Sequence, residues 1–457
     1  MSNPATITNE LATEKIGKLI WNYSIPAIVG TVVMSLYNIV DRIFIGQGVG
    51  SLAISGLALT FPFMILLMAF GMLVGAGSAA RISITLGENN KVKAEKILGN
   101  ALTLTIIISG TVVILSYIFM SDLLRLFGGT EQTIQYAEDY MRIVIPGGLL
   151  SALSFGFNNI MRASGYPKKA MYTMIICALI NVVLDPIFIF GFNWGIQGAA
   201  IATNISYLVG TVWVLWHFTL KSSIIRFHRP NFRLEKKIVM SIISIGMSPF
   251  SMQLATSFII ILVNTTLLHY GGDLAIGAFG IINSVNTLVI MTIIGLNQGT
   301  QPIIGFNYGA RLYDRMFKTL KIAIFVATGM TSLGFIMGTF LPGAMAALFT
   351  RDLALQAIAT QALRISVIMF PIIGFQVVVT NFFQSIGMAK ISIFLSLTRQ
   401  FLFLVPSLLF LPTLFGLTGA WASMPVSDGL STIVSAFTIF FFIRRFKRKL
   451  DESPVSN

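Results

Sequence analysis

Long apolar runs, each broken by a short polar segment, follow one another along the whole chain. Twelve can be separated, starting near residues 17, 52, 97, 136, 169, 196, 237, 274, 316, 356, 390 and 416. Each is about 20 residues or longer, enough to cross a ~30 Å hydrocarbon core at 1.5 Å per residue. The runs do not alternate in polarity and are about twice as long as a barrel strand, so the pattern predicts helices. The first, second, seventh and eighth runs exceed about 25 residues, which implies tilt or bending rather than a wider membrane. Pro26 and Pro249 mark natural bend points, because proline removes a backbone donor and clashes with the preceding turn.

The pattern also repeats. At an offset of 222, Ser51-Leu52-Ala53-Ile54 falls on Asp273-Leu274-Ala275-Ile276, Gly77 on Gly299, Leu86-Gly87 on Tyr308-Gly309, and Gly165 on Gly387. At an offset of 221, Gly195, Gly198 and Ala199 fall on Gly416, Gly419 and Ala420. Six crossings per repeat leave both copies in the same orientation, related by a pseudo-two-fold axis along the membrane normal. The expected organisation is an N-terminal tail over 1–15, a six-helix lobe over 16–220, a basic connector over 221–237, a second lobe over 238–445 and a tail over 446–457. Two such lobes suit alternating access better than a channel. Small residues at Gly71, Gly75, Gly77, Ser78, Ala79 and Ala80 predict close helix approach.

Composition fixes the class. With 55% hydrophobic and 11% charged residues and a mean hydropathy of +0.83, the chain is an all-α polytopic membrane protein. The single cysteine, Cys177, rules out an intrachain disulfide or a cysteine-based metal site. The first 16 residues lack the basic start of a cleavable leader, so the first helix is expected to be retained.

The net charge of +14 does not point to nucleic acid, because the cations gather in alternate loops. They form groups at Lys91, Lys93 and Lys96, at Lys168 and Lys169, across 221–237, from Arg311 to Lys321, at Lys390 and Arg399, and in the tail from Arg444 to Lys449. This is the positive-inside pattern, and it predicts a multi-pass protein with both termini in the cytoplasm and an even number of crossings; a bacterial cytoplasmic membrane is the expected location. A monomer in the lipid bilayer is the expected state.

Three acids fall within the predicted spans: Asp41, Asp185 and Asp428. A charged side chain at mid-membrane costs about 2.5–3.5 kcal/mol on insertion scales, so such residues usually mark an ion or substrate path. Tyr37 and Asp41 are four residues apart and share a helix face, as do Asn181 and Asp185. With Thr203 on the sixth helix, Asp41 and Asp185 lie roughly 7–11 Å below the outer surface at 1.5 Å per residue, so the three can share one depth. Two carboxylates with Asn, Thr and Tyr oxygens are a suitable inventory for sodium or a proton, since burial disfavours a charged carboxyl. Arg42 points about 100° away from Asp41 on the helix and either snorkels to the interface or neutralises it.

The second half lacks acids at the repeat positions; Asn264 stands near that of Asp41, and an apolar stretch near that of Asp185. Pro26, Asn158, Gln253, Asn264, Asn283, Gln376 and Asp428 are read as cleft or hinge candidates. The span cations are expected to be Arg42, Arg142 and Arg364. Twenty-one Met and 37 Phe offer an adaptable lining for flat organic compounds. No phosphate-binding loop, nucleophile elbow or zinc-binding helix motif is present, which argues against an enzyme and against a cofactor.

The segments Tyr37-Asn38-Ile39-Val40-Asp41-Arg42-Ile43-Phe44-Ile45-Gly46, Met161-Arg162-Ala163-Ser164-Gly165-Tyr166-Pro167, Asn181 to Gly191 and Gly195 to Thr203 resemble the multidrug and toxic compound extrusion family. The resemblance spans about residues 15 to 445. It implies twelve helices in two lobes and export of small organic, often cationic, drug-like compounds in exchange for Na+ or H+. It further implies coupling at Tyr37, Asp41, Asn181, Asp185 and Thr203, and bending of the first helix at Pro26. A flippase for lipid-linked saccharides is the alternative within the same superfamily, but it would want a strongly cationic cleft. A passive channel or receptor would lack a coupled cycle.

Overall fold

The computed structural model describes residues 4–49, 51–126 and 134–452. Among them all regular structure is helical. The first six long helices are α1 (Ile16–Gly48), α2 (Ser51–Gly87), α3 (Lys91–Ile118), α4 (Ile134–Ala163), α5 (Pro167–Pro186) and α6 (Gly195–His217). A single helical run, Lys236–Gly309, breaks at Gly272 into α7 (236–271) and α8 (273–309). α9 spans Tyr313–Phe340, and α10 is the pair Leu353–Ser366 and Phe370–Ser385, bent by 56°. The last run, Ala389–Asp451, breaks at Gly416 into α11 (389–415) and α12 (417–451). Twelve crossing helices result among the described residues. Their flanks carry bare apolar side chains, such as Phe325 at 79% and Leu414 at 73% exposure, which only hydrocarbon can cover.

The starts follow the hydropathy pattern, with one informative difference. α3 begins at Lys91 rather than near residue 97, because the Asn90 side chain caps it by accepting from the Lys93 amide at 3.0 Å. Lysines expected in a loop therefore stand on the first turns of a helix.

The repeat is visible in the turns. Gly195 and Gly416 adopt φ +55° and +58°, Gly165 and Gly387 adopt +98° and +77°, and Asn89 and Arg311 adopt +56° and +59°. A left-handed residue costs a side-chain-bearing residue energy and is specified locally. Its recurrence at the same offsets means that matching segments of the two halves turn in the same way.

Two compact units form. The first comprises Met1–Ser257, Ile294–Thr319 and Gln384–Lys390. Within it α2 is central. A Cβ at Gly71 would come within 3.2 Å of the Ala152 backbone on α4, and Gly75 sits directly on Gly156. Gly77 presses on the Ile242 carbonyl of α7, and Gly87 on the Phe306 carbonyl of α8. The connector after α6 is strapped to the start of α3. Asn100 donates to the Asn231 and Arg233 carbonyls at 3.1 Å each and accepts from the Glu235 amide at 2.7 Å.

The second unit comprises Phe258–Ile293, Leu320–Phe383 and Ile391–Asn457. Its core gathers Ile259, Val263, Phe279, Ile282, Leu363 and Trp421. A smaller cluster of Val367, Phe370 and Ile373 lies at the bend of α10.

Two cations correct the sequence expectation. Arg162 lies inside α4 and is 2% exposed, and Arg399 lies inside α11 on a π-helical stretch, Thr398–Leu404, rather than in a basic loop. Both are held by protein partners: Arg162, in the last turn of α4, by amide side chains, and Arg399, ten residues into α11, by a carboxylate. The side chains of Arg42 and Asn38 lie outside the described residues.

Candidate functional site

The site grows out of helical spacing in the first unit. Tyr37 and Asp41 project from one face of α1, Asn181 and Asp185 from one face of α5, and Thr203 and Tyr207 from one face of α6. All six are buried, Asp185 completely and Asp41 at 9% exposure. The two carboxyl groups face each other closely enough to interact directly. Asn181 Nδ2 donates to the Thr203 hydroxyl at 3.2 Å, while its Oδ1 accepts no hydrogen bond among the described residues. The structure thus brings together all five residues of the expected coupling cluster.

Two tyrosines join them that the sequence reading did not select. Tyr140 of α4 reaches the Thr203 hydroxyl and lies near both Asp41 and Asp185. Tyr207 approaches the Tyr37 hydroxyl and Ser151. The spacing rule that linked Tyr37 to Asp41 would have found Tyr207 from Thr203. Tyr140 carried no comparable signal, since it follows the acidic pair Glu138 and Asp139 near the expected start of its helix.

Ile45, Tyr140, Val144, Ile189 and Ile196 pack into an apolar cap between the acids and the nearby helix ends. The cap is positioned by two local features. Pro186 is followed by a π-turn, Ile187–Gly191, and the left-handed Gly195 brings the start of α6 to within van der Waals reach of Val49.

Away from the cap, a small pocket is lined by Met34, Phe155, Asn158, Met174, Cys177 and Tyr207. Asn158 donates to the Ala170 carbonyl at 2.7 Å and accepts from Arg162 Nη2 at 2.8 Å. Arg162 also bonds Asn159 and Gln298. The Cys177 thiol meets the Ser206 carbonyl at 3.4 Å and serves packing.

Pro26 is buried in the segment of α1 held from two sides. Gly295 and Gly299 of α8 sit on Ile28 and Ser24, and Gly30 admits the Met174 side chain of α5. Gln253 belongs to the same unit and touches the Met68 sulfur at 3.9 Å. Asn264, Asn283, Gln376 and Asp428 lie in the second unit, where Asp428 pairs with Arg399 at 2.6 Å. The buried oxygen cluster is therefore a feature of the first unit.

Comparison with known proteins adds an independent line. The MatE family model matches residues 26–187 and 249–409, one stretch in each half. The multidrug export protein MepA of Staphylococcus aureus (strain N315) is 27% identical over 424 residues, covering 93% of this chain and 93% of that protein. The solved structure of the MATE multidrug transporter DinF-BH has a TM-score of 0.88 at 36% identity, covering 94% of this chain and 96% of that one. A MATE in complex with MaL6 has a TM-score of 0.90 at 25% identity, covering 96% and 99%.

Proposed function

This chain belongs to the MatE family of membrane transporters, and on that premise we propose that it is a secondary active multidrug exporter driven by sodium or protons. It is a transporter and not an enzyme. The observation that carries the proposal is the buried Asp41–Asp185 pair, with Asn181, Thr203 and Tyr37 around it. A small cation entering from outside neutralises the carboxyls and is satisfied by the surrounding oxygens. Conversion between conformations is then biased by the difference in ion affinity between them, which is the only way an ion can drive the change. α1, gripped around Pro26, is the element that carries the bias from the acids.

In this reading both termini face the cytoplasm, the cargo is a small, drug-like and often cationic compound, and no cofactor takes part. The chain works as a monomer with lobes over 16–220 and 238–445 in a bacterial cytoplasmic membrane.

The decisive assay reconstitutes the protein in proteoliposomes and follows ethidium movement under a sodium gradient and, separately, a proton gradient. Uphill accumulation under at least one gradient is expected. Equilibration without accumulation would replace the exporter with a channel. A narrower expectation concerns Asn181→Ala, which removes an oxygen and the donor that orients Thr203. It should raise the ion concentration for half-maximal transport roughly tenfold, with the maximal rate little changed, as read from ion titrations of the same assay.

A further inference from the structure

The second unit carries a charge pair that the proposed coupling cluster does not use. Arg399 Nε meets Asp428 Oδ1 at 2.6 Å, with side-chain exposures of 22% and 4%. At 1.5 Å per residue, Arg399 is roughly 15 Å from the start of α11 and Asp428 roughly 17 Å from the start of α12, which puts both near the middle of a ~30 Å core. The backbone around them is pinned. Ser427 Oγ donates to the Arg399 carbonyl at 2.6 Å, and the Asp428 carbonyl accepts from Ser431 at 3.1 Å and Thr432 at 2.7 Å. The π-helical stretch Thr398–Leu404 carries Arg399, and such stretches gather at functional positions.

The geometry leaves half of the guanidinium unused. Asp428 engages the Nε side, and among the described residues neither Nη of Arg399 donates a hydrogen bond. Arginine recognises a carboxylate or phosphate through a pair of parallel N–H groups. An edge of several donors in hydrocarbon carries a large penalty, and with 22% of the Arg399 side chain exposed it is available to water or a ligand. Asp428, almost fully buried, fixes the fork and offsets its charge while leaving that edge open.

We infer that Arg399 is an anion-recognition position, where the carboxylate of an amphiphilic compound binds along the Nη1–Nη2 edge while Asp428 holds the guanidinium through Nε. This rests on the drug-export reading and assigns to Arg399 the recognition of cargo that carries a carboxylate beside its cationic group. The acids of the first unit give no reason to expect that class.

Two xanthene dyes test it. Rhodamine B has a free carboxylate, whereas rhodamine 6G is a cationic relative with that group esterified. Binding of each to the full-length protein in lipid nanodiscs is followed by fluorescence anisotropy. Arg399→Gln is expected to weaken rhodamine B about tenfold or more while rhodamine 6G stays within about twofold. Because Arg399→Gln leaves Asp428 buried without its partner, the double variant Arg399→Gln/Asp428→Asn is measured alongside, and the same loss of preference is expected there. Arg399→Lys should retain part of the preference, as a point charge without the fork. Equal weakening of both dyes, unchanged rhodamine B binding, or restoration of rhodamine B binding in the double variant would reduce the pair to a structural ion pair. A wild-type protein that binds neither dye would overturn the drug-export reading and this inference with it.

Discussion

Exchanging Asp185 for Asn is expected to abolish uphill export while leaving a folded protein. Asn has nearly the same shape, and it removes the ionisable group from a cluster where Asp41, Asn181, Thr203 and Tyr140 already surround it. A neutral, non-titrating side chain binds no proton and offers a sodium ion one formal charge fewer. The energy difference by which the ion biases one conformation over another is then lost, and with it the coupling. Gradient-driven ethidium movement should fall by about a hundredfold or more, a loss equivalent to about 2.7 kcal/mol of coupling energy. Asp41→Asn should behave alike, and the double variant should be little worse than either single one, because the two residues act as a unit. Melting temperatures of the purified variants should remain within a few degrees of wild type. Full uphill transport by both single variants would remove the pair from the mechanism.

Much of this arrangement could be read from residue order, for definite reasons. Apolar runs long enough to span a bilayer are a strong signal, and the glycines that fix the turns recur at constant offset, so the twelve helices and the repeat stood out. Asp41 and Asp185 stood out because an acid in a span is costly and rare. Tyr140 did not, because a tyrosine near a helix end has many ordinary reasons to be there, and Tyr207 did not, because a lone tyrosine within a span carries no cost comparable to an acid. Arg162 and Arg399 were missed for a related reason. Each stands within about ten residues of a loop boundary in sequence, and only three-dimensional partners reveal how it is held: Asn158, Asn159 and Gln298 for the first, Asp428 for the second. Where a buried group is satisfied by residues far away in sequence, local pattern carries no trace of it.

Gly246→Leu is expected to have the other large effect, on folding rather than coupling. A methyl group at Gly246 would fall on the Leu73 carbonyl, and one at Gly77 would fall on the Ile242 carbonyl, so α2 and α7 meet backbone to backbone at reciprocal points. Helices in lipid gain nothing from hydrophobic exclusion and depend on such close contact for their attraction. A leucine there must push the helices apart and disrupt packing on both sides, at a cost of about 3 kcal/mol or more. The variant should yield little monodisperse protein on fluorescence-detected size-exclusion chromatography, and Gly246→Ala should already lower the melting temperature by several degrees. Glycine content alone does not predict this. Gly110 and Gly329 also lie within long helices, yet an added Cβ at either meets no atom within 4 Å. Gly110→Ala and Gly329→Ala should therefore be neutral or stabilising by up to about 1 kcal/mol, the helix-propensity difference between the two residues. If Gly246→Leu tracked these controls, the α2–α7 backbone contact could not be part of the folded protein. The small residues seen in the sequence at Gly71, Gly75 and Gly77 would then need another explanation.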